Sequence, residues 1–214
     1  MSEIISLKKG ETISLSKSPV IDLTKGGKGL SFVTVGLGWD PVKKTKTEEK
    51  KGGFFSRLFG SETSGSGYSE DIDCDAFVIE KKDGRDVETV FFGNLSNKNQ
   101  SIKHTGDNLT GEGEGDDESI LIDLSACLSD EIVIGVNIYR GDVRGQDFSM
   151  LENAYVRIVD NNTNKEMCRF TLDSTYEGYI TIIFGVLRNV NSEWTFEAVG
   201  VGSEAKSIGA VVWP

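Results

Sequence analysis

Short runs of β-branched and aromatic residues punctuate the chain at 30–35, 76–80, 89–92, 119–124, 132–139, 155–159, 166–172, 179–187, 194–201 and 208–213, and Gly, Asn, Asp and Ser fill the spacers. Such runs read as strands, because branched and aromatic side chains suit a pleated surface and the spacer residues suit reversals. Several alternate at period two. Tyr155, Arg157 and Val159 fall on one face and Val156, Ile158 and Asp160 on the other, so one face is mixed and the other mostly apolar. Helical periodicity is scarce, the best stretch being 146–153, and 25 glycines argue further against a helical domain. The predicted fold is all-β: a β-sandwich of two mainly antiparallel sheets with a few short helices, formed by residues 1–214 as a single domain.

One segment interrupts the rhythm. Residues 41–67 read PVKKTKTEEKKGGFFSRLFGSETSGSG, charge-rich at one end and Gly/Ser-rich at the other, a composition that predicts a mobile inserted loop. Its centre carries Phe54, Phe55, Leu58 and Phe59 after Lys50 and Lys51, apolar groups suited to a membrane surface or a partner groove but too few to anchor alone. The plainer reading has these side chains folding back onto the sandwich.

Composition narrows the function classes. Apolar residues make up 37% of the 214, enough for a core, and no run approaches the roughly 18 apolar residues that a spanning helix needs. Glu3 sits among Ile4, Ile5 and Leu7, with Lys8 and Lys9 after them, the reverse of a secretory leader, so a cytoplasmic location is expected. Lys and Arg total 23 against 34 Asp and Glu, a formal charge of −11 that repels nucleic-acid phosphates and attracts cations. Cys74, Cys127 and Cys168 form no CxxC pair and read as small buried residues, not as a disulfide framework or zinc site. A single histidine, His104, leaves little of the usual nucleophile or zinc-hydrolase machinery and reads as a strand residue.

The strongest chemical signal is HTGDNLTGEGEGDDE at 104–118, where Asp107, Glu112, Glu114, Asp116, Asp117 and Glu118 stand with no Lys or Arg among them. Carboxylates at that density repel unless solvent or a cation neutralises them. A strand run begins directly after the last acid, which favours an ordered site over a solvated acidic loop. Calcium accepts about six to eight oxygen ligands at irregular angles, and glycines at 106, 111, 113 and 115 let the chain fold back around one centre. Magnesium demands stricter geometry and is the poorer fit.

A second cluster, Asp71, Asp73 and Asp75 in SEDIDCDAF, places alternate carboxylates on one side of a strand. It is not an EF-hand, since the sixth position would be Ala76 instead of Gly and the twelfth Lys82 instead of Glu. Asp40 adds a third contribution, after a sharp turn expected at 36–39 (GLGW). Two other patterns carry little: GVGSEA at 200–205 is followed by too little chain for a βαβ unit, and GEGEGD is a single copy of a solenoid-like repeat.

GLGWDP at 36–41, DIDCDA at 71–76 and HTGDNLTGEGEGDDE at 104–118 together resemble the TerD family of tellurium-resistance and stress-response proteins. Gln146 and Phe148 ahead of LENAYVRIVD at 151–160, then IFGVL at 183–187 and EWTFEAVG at 193–200, follow the family pattern in order. GLGWDPVKK with a Gly/Phe insert after it is most similar to the TerZ branch. The resemblance implies a cytoplasmic β-sandwich that binds two calcium ions through acid-rich loops at one end. Asp107, Asn108, Glu112, Glu114, Asp116, Asp117 and Glu118 fall in the family's acidic loop, Asp73 and Asp75 in its aspartate block, and Asp40 closes its GLGWD motif. Two residues depart from the pattern: Phe77 stands where a small residue such as Ser is usual, and Leu109 where Arg is common.

The function expected is therefore a noncatalytic calcium-binding sensor or scaffold in tellurite resistance and chemical or envelope stress. Expected partners are other stress-response proteins of the same system, with no nucleic acid and with peripheral association at the inner face of the membrane as an option. One rival is a metal-dependent phosphoester hydrolase, since clustered carboxylates with Mg²⁺ or Ca²⁺ activate water. It lacks an evident nucleophile, a second histidine and a cationic clamp. A third reading is calcium-bridged membrane docking through Phe54, Phe55, Leu58 and Phe59.

Overall fold

The computed structural model describes residues 4–5, 13–14 and 20–22 as backbone, and residues 31–40, 72–111, 115–172 and 174–214. The 41–67 insertion with Phe54, Phe55, Leu58 and Phe59, together with Asp71, Glu112 and Glu114, lies outside the described residues. The strands are β1 (Ile4–Ile5), β2 (Ile13–Ser14), β3 (Val20–Asp22), β4 (Phe32–Asp40), β5 (Cys74–Lys82), β6 (Arg85–Val90) and β7 (Ile102–His104). They continue with β8 (Glu118–Asp123), β9 (Glu131–Ile138), β10 (Glu152–Asp160), β11 (Lys165–Thr171), β12 (Thr181–Val190) and β13 (Glu193–Ser203).

One sheet takes the order β1-β3-β13-β12-β9-β5-β6 and the other β2-β11-β10-β4-β8-β7. Every pairing is antiparallel except β1 with β3 and β2 with β11. This is the all-β sandwich that the alternation implied. Val33, Val35 and Leu37 of β4, Ile120 and Ile122 of β8, and Val156 and Ile158 of β10 meet Ala76 and Val78 of β5, Ile134 and Val136 of β9, and Phe184 and Phe196 in one buried core. Phe170 and Phe196 stack on Phe184, with centroids 5.8 and 5.3 Å away, and tie the two sheets together.

The seven-stranded sheet is buried on its outer face as well. Phe77, Ile79, Val133 and Ile183 form a second cluster there, beneath Ile208 and Val211 of the C-terminal segment. Burial on both faces explains why β5, β9 and β12 read as nearly continuous apolar runs. Lys81 Nζ donates to the Trp213 carbonyl and fastens that cover.

Three expectations are corrected. Residues 208–213 are not a strand: Ile208–Ala210 is a 3₁₀ turn that lays its apolar side chains across the outer face. The stretch 146–153 is not a helix. Asp147 Oδ1 accepts from the Ser149 N–H to cap a 3₁₀ turn at Phe148–Met150, and β10 starts two residues later; the α-helical turn is Gly141–Arg144. Residues 36–39 do not turn but run extended inside β4. Gly36 and Gly38 serve close approach there: a Cβ on Gly36 would stand 2.1 Å from Asp116 Oδ2, and one on Gly38 2.5 Å from Tyr155 Cζ. The reversal after β5 comes instead from Asp83 and Gly84, both in the left-handed region (φ 51° and 72°), an Asp-Gly hairpin signal.

Among the described residues no helix is long and apolar enough to cross a membrane. Cys74 and Cys168 are buried free thiols and Cys127 is half-buried, so two of the three match the small-buried-residue reading.

Candidate metal centre

The centre forms at one end of the sandwich, where β5 begins and residues 105–111 and 115–117 lie between β7 and β8. Carboxylate oxygens of Asp73, Asp75 and Asp107 lie within 4.8 Å of one another. Asp73 and Asp75 are buried and Asp107 is exposed, so the cluster opens to solvent on the loop side. Asp73 Oδ1 and Asp75 Oδ2 are buried and receive no hydrogen bond from the described residues. Oxygen-only donors left unpaired in this way fit a hard divalent cation.

Glu118, the first residue of β8, holds the two acidic segments together. Its Oε2 accepts from the Ala76 N–H at 2.7 Å and its Oε1 from the Asn108 N–H at 3.3 Å. His104 lines the same wall: its Nδ1 accepts from the Gly106 N–H at 3.1 Å, and its Nε2 lies 3.4 Å from Glu118 Oε2. Asn108 Oδ1 accepts from the N–H groups of Thr110 and Gly111, so it turns the loop with the oxygen that a cation would otherwise use.

Trp39 is the hub that the sequence reading missed. Its Nε1 donates to the Ile72 carbonyl at 3.1 Å and its N–H to Asp117 Oδ2 at 2.9 Å, which pins the aspartate block and the acidic loop to the end of β4. Asp117 Oδ1 also accepts from Asn108 Nδ2. Asp40, the last residue of β4, accepts at Oδ2 from Asn153 Nδ2 at 2.6 Å. Asp116 faces away from the Asp73 cluster, over the outer face of the six-stranded sheet, and Arg157 takes both its oxygens.

Electrostatics mark the same residues. Burial, reinforced by Asp107 and Glu118, pushes the Asp73 carboxyl up to about 6. Burial plus the charges of Asp73, Glu118 and Asp107 pushes Asp75 up to about 9. Burial also raises Asp117, against the Trp39 N–H that favours its charged form, with Asp116 and Asp40 adding repulsion. Carboxyls raised by desolvation and by one another gain most from a cation placed among them.

Fold and site together define a β-sandwich with a carboxylate-lined end. The TerD domain model matches residues 5–212, and the chain belongs to that family. Stress response protein SCP2 of Bacillus subtilis is 44% identical over 196 residues, spanning 89% of this chain and 92% of its own. Tellurium resistance protein TerZ of Serratia marcescens is 37% identical over 198 residues, spanning 92% and 93%. A solved homologue of telluride resistance protein (TerD) from Streptomyces coelicolor shares the fold, with a TM-score of 0.62 at 18% identity over 83% of this chain and 92% of that one.

Proposed function

We propose that this protein is a noncatalytic calcium-binding module, a sensor or scaffold in tellurite resistance and general chemical or envelope stress. One observation carries the reading: three carboxylates converge within 4.8 Å, and two of their oxygens are buried without a hydrogen-bond donor among the described residues. Asp73, Asp75 and Asp107 would hold one ion, with Glu118 alongside. Asp117, which accepts from the Trp39 N–H and is raised in part by the charge of Asp40, would help hold a second. Neutralising these charges draws the aspartate block and the acidic loop together and changes the surface offered to a partner. The names of the relatives support the stress role; a cytoplasmic setting and other proteins of the same response as partners are part of the proposal. His104, the single histidine, is buried with its Nε2 3.4 Å from Glu118 Oε2.

Isothermal titration with calcium, with magnesium as control, tests the proposal. Heat of binding in the micromolar range and a raised melting temperature are expected. No heat and no thermal shift at millimolar calcium would refute it.

A further inference from the structure

The outer face of the six-stranded sheet carries a set of contacts that neither packing nor the metal cluster requires. Arg157 Nε donates to Asp116 Oδ1 at 2.7 Å and Nη2 to Oδ2 at 3.0 Å, a two-pronged pair, while Nη1 donates to Glu166 Oε2 at 3.0 Å. Glu166 in turn accepts from Arg169 Nε and Nη2 at 2.9 and 2.7 Å, and the Arg169 guanidinium lies 3.9 Å over the Tyr155 ring. The Tyr155 hydroxyl reaches the loop itself, donating to the Gly115 carbonyl at 2.6 Å, with Asp116 Oδ1 3.1 Å away. Gly36 and Gly38 clear the strand beneath for the Asp116 carboxylate and the Tyr155 ring.

Directly after this anchor the chain sends Asp117 to Trp39 and Glu118 inward to Ala76 and Asn108, and the Asp117 N–H bonds the Leu37 carbonyl at 2.8 Å. Three consecutive carboxylates thus point in three directions. We infer that Arg157 and Tyr155 are positioning residues: they latch Asp116 and Gly115 onto the outer face so that Asp117 and Glu118 are presented to the metal centre, and Asp116 serves as anchor, not ligand. Binding energy at the centre then depends on a surface ion pair that touches no metal, since partners behind a ligand orient it. The consequence for calcium rests on the proposed calcium reading; the latch itself does not.

Two readouts separate the two. In the metal-free protein, Arg157→Ala is expected to lower the hydrogen-exchange protection of the Asp117 amide by about tenfold or more, with core amides of β9 and β12 unchanged. Tyr155→Phe keeps the ring over Gly38 but removes the hydroxyl, and is expected to give a smaller loss at the same amide. In calcium titrations, Arg157→Ala and Asp116→Asn should each weaken binding about tenfold, and the double variant no further. Unchanged Asp117 protection in both variants overturns the latch. Penalties that add in the double variant, or calcium affinity within twofold of wild type in Arg157→Ala, overturn its role at the centre. A wild-type protein that binds no calcium yet loses Asp117 protection in Arg157→Ala sinks the calcium reading alone.

Discussion

A Cβ on Gly111 would stand 2.5 Å from Nε1 of Trp39, the atom that donates to the Ile72 carbonyl. The acidic loop closes over the indole only because residue 111 has no side chain, and its φ of +66° demands glycine a second time. Gly111→Ala is therefore expected to lose more stability than the left-handed backbone cost of about 1–2 kcal/mol. Gly84→Ala is the control. Its φ is +72°, but nothing lies within 4 Å, so it bears the backbone cost alone. Urea unfolding of the two variants measures the difference, and equal losses would contradict the close approach.

The raised carboxyls give a pH dependence of definite sign. Asp73 and Asp75, at about 6 and about 9 in the folded protein and 3.8 ordinarily, hold protons that the unfolded chain releases. Their contribution is complete below pH ~4 and is lost as pH rises through 6 toward 9, so the metal-free protein is expected to melt lower at pH 8 than at pH 5. Asp130, Asp147 and Glu166 are held low by donors such as Lys82, Ser149 and Arg169, and act with the opposite sign only below about pH 4. Melting curves in chelator across this range check the slope, which Asp75→Asn should flatten.

Calcium should reverse the same repulsion. In chelator, Asp75→Asn is expected to be at least as stable as wild type, because it removes a buried carboxyl whose Oδ2 has no donor among the described residues. It should nevertheless lose the calcium-induced rise in melting temperature. Calcium at about 100 times its dissociation constant stabilises by about 2.7 kcal/mol, well within the reach of a thermal scan. An undiminished calcium shift in Asp75→Asn would remove that residue from the centre.

Phe77 has a defined seat across the strand pair. It pairs with Gly135 of β9, where a Cβ would stand 2.2 Å from the ring Cζ, and the Ile208–Val211 segment covers it. Gly135→Ala overpacks this spot and is expected to cost about 1–3 kcal/mol. In a Phe77→Ala background the same change should cost little, and a double-mutant cycle in urea reads the coupling directly.

Strand runs, the all-β class and the acid-rich segments were legible in the sequence because each is local: period-two alternation, turn residues and charge density are set by near neighbours in the chain. What these marks do not encode is which groups meet. Asp116 and Arg157 are 41 residues apart, Glu118 and Ala76 are 42, and their meeting depends on β4 lying between β8 and β10 and on β5 facing β8 across the core. GLGW looked like a turn because glycine is permissive, and only the packing of Tyr155 and Asp116 over β4 shows that its glycines make room instead. The sequence left the individual roles of six neighbouring acids unassigned; tertiary structure turned Asp107 to the cluster, Asp117 to Trp39 and Asp116 to Arg157, because a carboxylate's role follows from the donors and charges that the fold brings within a few ångströms of it.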